Sequence, residues 1–224
     1  RDRVPAYDTT MFYQDFLDPE KGPAKSAEEA AASKEAGYRQ MKVKVGRGGR
    51  WMLPEQGLRR DIEVVQAIRE AVGPDVKVMV DANNAYRHYQ AIEFARKAEK
   101  YDLFWFEEPV EPDDYIGQRE ITRATSVPVA AGENEYTKYG FRDMINHRAV
   151  DILQPDALIL GGITEFMKVA ALAQANDLDI APHGNQYVHI HLVAAIPNGL
   201  TLEYYRDSVD PMHGKIYKDE LEIQ

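Results

Sequence analysis

Cysteine is absent from all 224 residues. That excludes disulfides and thiolate chemistry, and with them a disulfide-stapled secreted domain. Long apolar runs are missing as well. None approaches the roughly 20 residues a membrane-spanning helix needs, and no signal peptide is visible. Positive charge is in deficit: the formal net charge of −10 argues against a general nucleic-acid binder and predicts only solubility. What the chain does carry is apolar material, 44% hydrophobic and 10% aromatic, enough to bury a real core in one large α/β domain. The first residue is Arg1 rather than Met, so the sequence reads as a piece of a longer protein.

Apolar, β-rich runs alternate with helical patterns along the whole length. Strands are expected at 4–9, 39–45, 76–81, 103–107, 127–132, 150–154, 178–182 and 200–204. Amphipathic helices are expected at 26–36, 58–72, 88–100, 114–124, 137–147, 162–176 and 186–196. Ser26 with Glu29 has the capping-box spacing, and Gly37 stands where that helix would stop. Residues 46–57 follow neither period and read as a long glycine-rich loop after the second strand. Eight strands separated by seven helices point to a parallel sheet closed as an α/β barrel of the TIM type, (β/α)7β, with 1–224 as one catalytic domain. An open doubly wound sheet is the alternative. It lacks the glycine-rich first turn of a dinucleotide site.

In such barrels the loops after the strands carry the chemistry, so the residues ending the strands are the ones to inspect. They are Lys44, Asp81, Glu107, Glu133, Asp156, His183 and Glu203, and all are ionisable. From Asp81 onward successive members lie about one βα unit apart, which should set them in a ring around one mouth; the gap from Lys44 to Asp81, 37 residues, is longer.

The motifs MKVKVG, VMVDANN, WFEEPV, VAAGEN, QPDALILGG, APHGNQ and LEYY, in this order, resemble the enolase superfamily and within it the mandelate racemase subgroup. The resemblance covers nearly the whole chain. It implies that the chain is the barrel portion alone, truncated at both ends, without the N-terminal α+β capping domain that closes such sites. It further implies Asp81, Glu107 and Glu133 as ligands of one Mg²⁺ per active site, and Lys44 as the base with Lys42 stabilising the intermediate. The His183–Asp156 pair becomes the acid/base on the opposite face, and Glu203 a hydrogen-bond partner of the substrate carboxylate.

The residue types agree with this chemistry. Three carboxylates with no Cys or His among them make a hard-oxygen site suited to Mg²⁺. Glu107 shares strand parity with Leu103 and Trp105, so it should point inward while Glu108 points elsewhere. Lys42 and Lys44 alternate with Val43 and Val45 and share one face; their mutual repulsion should lower the pKa of at least one. Asp156 and His183, from adjacent strands, can come within hydrogen-bonding distance. Glu203 facing a substrate carboxylate should have a raised pKa. Asn83, Asn134 and His189 are candidate substrate contacts, and Arg47, Arg50 and Trp51 candidate lid contacts. His191 falls on a helix stripe with Val188, Leu192 and Ala195, which suits a packed side chain.

Such a site is built to remove a proton α to a carboxylate. Dehydration of a sugar acid to a 2-keto-3-deoxy acid is the expected outcome; a racemase, epimerase or cycloisomerase is the alternative. The expected partner is a small-molecule carboxylate, with no nucleic acid and no membrane, for a cytoplasmic homo-oligomer.

Overall fold

The computed structural model describes residues 1–15, 21–218 and 221. Among them the expected alternation appears as eight parallel strands and intervening helices. The strands are β1 (Ala6–Met11), β2 (Gln40–Lys44), β3 (Lys77–Asp81), β4 (Leu103–Glu107), β5 (Val129–Ala131), β6 (Ile152–Leu153), β7 (Asp179–Ile180) and β8 (Leu202–Tyr204). The main helices are α1 (Gly22–Glu35), α2 (Pro54–Val72), α3 (His88–Ala98), α4 (Tyr115–Ala124), α5 (Thr137–His147), α6 (Ile163–Gln174) and α7 (Gln186–Ala195). The strands lie in the order β7-β6-β5-β4-β3-β2-β1-β8. The sheet curls so that its two ends meet: Ile180 in β7 bridges Gly199 just before β8, and the Leu200 amide donates to the Ile180 carbonyl at 2.7 Å.

Strand alternation splits the core into two shells. Outward-facing Met41, Val43, Val78, Val80, Phe106 and Val129 pack against the helices, where Val64, Ile68 and Phe94 meet them. Inward-facing Tyr7, Met79, Trp105, Ala130, Ile152 and Ala181 fill the centre. The Phe94 and Phe106 rings lie 5.0 Å apart between centroids. Truncating Phe106 to Ala would therefore leave a cavity between sheet and helix and cost about 3–5 kcal/mol.

Register places the chemistry. Lys44 pairs with Asp81, Asp81 with Glu107 and Glu107 with Ala130, so three charged side chains form one row at the C-terminal ends of β2, β3 and β4. One step below, Lys42 pairs with Met79 and Met79 with Trp105. Tyr7 pairs with Glu203 across β1 and β8.

Several details differ from expectation. Helix α1 begins at Gly22 and Pro23, not at Ser26, which is buried inside it. Proline fits the first helical turn because its missing N–H would have no partner there. Leu103 belongs to the outer shell although Trp105 and Glu107 face inward; the β3–β4 register shifts between Val78 and Met79, so the parity assumed for Leu103 is broken by an irregularity. The 46–57 loop is shorter and more structured than a free lid. It contains a 3-10 turn at Arg47–Gly49, and α2 already starts at Pro54. Its glycines serve close packing: a Cβ on Gly49 would collide with the Ala85 carbonyl and one on Gly57 with the backbone of Gly48.

Candidate active site

The paired register of β2, β3 and β4 brings Lys42, Lys44, Asp81 and Glu107 together. Lys42 Nζ forms ion pairs with Glu107 Oε1, with Glu203 Oε1 at 2.8 Å and with Asp81 Oδ2 at 3.4 Å. Lys44 Nζ pairs with Asp81 Oδ2 and donates to Asn83 Oδ1 at 2.6 Å. Beneath them lies an aromatic floor. Lys42 Nζ sits 5.4 Å from the centroid of Tyr7, whose ring meets Trp105 edge-on at 5.2 Å.

Glu133, Asp156 and His183 complete the mouth from loops rather than from strand ends. Their strands stop early, at Ala131, Leu153 and Ile180, because pairing in this half of the sheet lasts only two or three residues. Asp156 Oδ2 lies 3.1 Å from His183 Nδ1, and His183 Nε2 lies 3.7 Å from Glu133 Oε2. Glu203 Oε2 accepts the Gly184 amide at 2.8 Å. The two candidate proton carriers are the open ones: the side chains of Lys44 and His183 are 15% and 24% exposed, while those of Asp81, Glu107 and Glu203 are fully buried.

Charge balance is uneven. Burial raises Glu107, Lys42 opposes it, and repulsion from Asp81, Glu203 and Glu133 leaves its pKa at about 8. Burial likewise raises Glu133; His183 pulls it down, Glu108 and Asp81 push it up, and it comes to rest at about 7. Burial would lower His183, but its hydrogen bond to Asp156 and the charges of Glu203 and Glu133 raise it to about 9. Asp81 is held below its usual range, because Lys42 and Lys44 outweigh its burial.

Of the expectations about titration, that for Glu203 is reversed and that for the lysine pair is not met at Lys42. Burial alone would lower Lys42, yet Glu107 and Glu203 hold it well above an ordinary lysine, so proximity to a second lysine does not neutralise it. Burial alone would raise Glu203, yet Lys42 and His183 hold it far below an ordinary carboxyl.

Of the candidate substrate and lid contacts, Arg47 is corrected outright. It is fully buried, with Nε 2.8 Å from Asp15 Oδ2 and Nη1 2.7 Å from Asp61 Oδ1, so it ties the segment after β1 to α2 and cannot reach a ligand. His189 is also corrected. It is wholly buried and its Nε2 accepts the Ala157 amide at 2.9 Å, whereas His191, expected to pack, is exposed. Asn83 and Asn134 turn their amide groups to the Glu108 carboxylate at 3.2 and 2.5 Å. Glu108 is therefore not turned away from the site as parity suggested. It is buried, and Asp81 adds to burial in raising its pKa. Trp51 meets Tyr13 edge-on at 4.7 Å. Arg50 reaches the Asn83 carbonyl at 3.0 Å.

Sequence reasoning missed Gln154. Its Nε2 donates to Glu107 Oε2 at 2.8 Å beside the Trp105 indole N–H at 2.9 Å, so two donors fix one oxygen of Glu107 while the other pairs with Lys42. Its position in QPD, two residues before Asp156, was the available signal.

Among the described residues no three acidic or histidine groups already converge as a cage for a metal ion; the oxygens of Asp81 and Glu107 are turned onto the two lysines. The donor set nevertheless fits a hard divalent cation. Glu133 Oε2 is buried without a hydrogen-bond partner among the described residues, and repulsion from Asp81 adds to burial in raising both Glu107 and Glu133.

Comparison with known proteins agrees with this geometry. A model of enolase C-terminal domain-like proteins matches residues 25–224, and the chain belongs to that family. The arabinonate dehydratase of Saccharolobus solfataricus is 34% identical over 226 residues, covering 99% of this chain and 57% of the relative. The 3,6-anhydro-alpha-L-galactonate cycloisomerase of Streptomyces coelicolor is 38% identical, covering 75% of this chain and 44% of the relative. The chain thus spans about half the length of the curated relatives it matches. A crystal structure of L-talarate dehydratase from Polaromonas sp. JS666, complexed with Mg and L-glucarate, superposes over 100% of this chain and 57% of its own, with a TM-score of 0.83 and 33% identity. Among the described residues no helix is long and apolar enough to cross a membrane.

Proposed function

We propose that this barrel is the catalytic portion of a Mg²⁺-dependent lyase that dehydrates a sugar acid to a 2-keto-3-deoxy acid. The observation that carries the reading is the placement of Lys44 on β2 and the His183–Asp156 pair after β7 and β6 at one mouth, around buried carboxylates. Asp81, Glu107 and Glu133 would hold the cation, which when bound supplies positive charge against the negative charge that develops on the substrate carboxylate. Lys44 removes the proton on C2. His183, kept protonated near neutral pH by Asp156 and the surrounding carboxylates, gives its proton to the leaving 3-hydroxyl, which departs as water. The remaining enol tautomerises to the 2-keto acid, so one water is lost and no oxidant is needed. Lys42 remains charged between Glu107 and Glu203, a fixed cation rather than a second base.

An isomerase acting on a related acid is the second reading, favoured by the similarity to a cycloisomerase. A charged His183 supports the dehydratase, because expulsion of hydroxide needs an acid. Cytoplasmic location and homo-oligomeric assembly belong to the same proposal; sedimentation of the full-length protein checks the assembly. The activity is tested by screening the full-length protein with Mg²⁺ against mono- and diacid sugars and detecting 2-keto products. A 2-keto product from one or a few acids supports the lyase. Exchange or inversion at C2 without water loss would replace it by the isomerase.

A further inference from the structure

His189 lies in α7 and is wholly buried, yet the proposed reaction gives it no task. A buried imidazole is costly unless its nitrogens are used, and here Nε2 has a hydrogen-bond partner while Nδ1 is buried without one among the described residues. Its Nε2 accepts the Ala157 amide at 2.9 Å and stands 3.5 Å from Asp156 Oδ1. An N–H aimed at Nε2 needs a lone pair there, so the ring is neutral and carries its proton on Nδ1. Phe166 of α6 lies against the ring at 5.9 Å, tilted by 31°.

The backbone that His189 holds is the one that orients Asp156. The Leu158 amide donates to Asp156 Oδ1 at 2.8 Å, which leaves Oδ2 to face His183 Nδ1 at 3.1 Å. From the other side, Gly184 leaves room for the same carboxylate: a Cβ there would come within 2.9 Å of Asp156 Oδ2, and its φ of +81° is one that side-chain-bearing residues rarely adopt. The loops after β6 and β7 are therefore fitted to each other around Asp156, with His189 behind them.

We infer that His189 is a positioning residue for the proton-transfer pair: as a neutral acceptor it anchors the Ala157 amide, and so sets Asp156 against His183 without touching substrate. This rests on the reading of His183 and Asp156 as that pair. The test compares His189→Leu, which fills the space without an acceptor, with His189→Gln, whose side-chain oxygen can accept the same amide. With an acid from the screen, His189→Leu should lower kcat about 10- to 100-fold. KM should stay within about twofold, and His189→Gln should recover most of the rate. Wild-type kcat in both variants, or equal losses in both, overturns the inference. A second measurement needs neither turnover nor variant: NMR of protein carrying ¹⁵N-labelled histidine should find His189 neutral, protonated on Nδ1, at neutral pH. A proton on Nε2 overturns the inference even where the Leu variant fails to fold. A wild type that turns over no acid would instead overturn the activity reading, while the NMR still decides the role of His189.

Discussion

Lys44 and Arg47 are three residues apart, and each belongs to a cluster of buried charge, but the clusters are built differently. Around Arg47 both carboxylates are engaged, although Arg47 Nη2 is buried without a hydrogen-bond partner among the described residues. Asp15 receives the Arg47 Nε, and Asp61 receives Nη1, the amides of Gly46 and Arg47 and the Tyr86 hydroxyl. At the mouth, Asp81, Glu107, Glu108, Glu133 and Glu203 crowd around Lys42, Lys44 and His183, and Glu133 Oε2 has no donor among the described residues. A buried cluster whose carboxylates are all engaged fastens one segment to another. A crowded one with an unengaged carboxylate oxygen is a place prepared for a cation and a substrate.

Breaking the mouth should have the largest effect. Glu107→Gln removes a proposed ligand charge and should abolish Mg²⁺ binding by calorimetry, whereas Glu108→Gln, whose carboxylate is engaged by Asn83 and Asn134, should weaken it less. Equal losses would mean that the two glutamates are not distinguished in this way.

Breaking the other cluster should act on stability instead. Arg47→Met strands two buried carboxylates and should cost about 3–5 kcal/mol in denaturant unfolding. Mg²⁺ affinity of the folded protein should change little. A variant as stable as the wild type but unable to bind Mg²⁺ would reverse the assignment of roles.

The smallest effect sharpens the comparison through pH. Glu107 and Glu133 are raised from 4.5 to about 8 and about 7, and His183 from 6.5 to about 9. All three folded-state values lie above their ordinary ones, so their contributions are fully present at low pH and are lost as pH rises through these values. The metal-free protein should therefore lose roughly a few degrees of Tm between pH 5 and pH 9, measured by thermal scans. Mg²⁺ should restore more stability at the high end of that range than at the low end. A metal-free protein that gains stability across the range would show that the mouth is not crowded with negative charge.

The barrel alternation and the family were legible because they depend on short periods and ordered motifs. The candidate charges at β2, β3 and β4 were legible for the same reason, since strand period alone puts Lys44, Asp81 and Glu107 on the inner face. What escaped the sequence depended on distant partners. Arg47 looked like a lid residue because its glycine-rich surroundings suggested a free loop, but its fate is set by Asp15 and Asp61 from other segments. His189 was expected at the substrate and His191 in the packing, yet His189 is the buried one, because helical spacing identifies a stripe whereas the packing of α6 and the β6 loop decides which stripe faces inward. The irregularity after Leu103 moved one side chain to the other face with no marker in LFWFE. Ser26 had the spacing of a cap but lies a turn inside a helix opened by Pro23.

The central claim is that Lys44 and His183 act on one substrate as separate proton carriers, base and acid. Its most direct test is NMR in D₂O of the full-length wild type, Lys44→Ala and His183→Asn, each with Mg²⁺ and a sugar acid that the wild type dehydrates. Both variants should lose product formation by about 100-fold or more. His183→Asn, which keeps the base, should still exchange the C2 proton of the substrate for deuterium, and Lys44→Ala should not. Exchange retained by Lys44→Ala and lost in His183→Asn, or lost in both while both still bind Mg²⁺, would contradict the account.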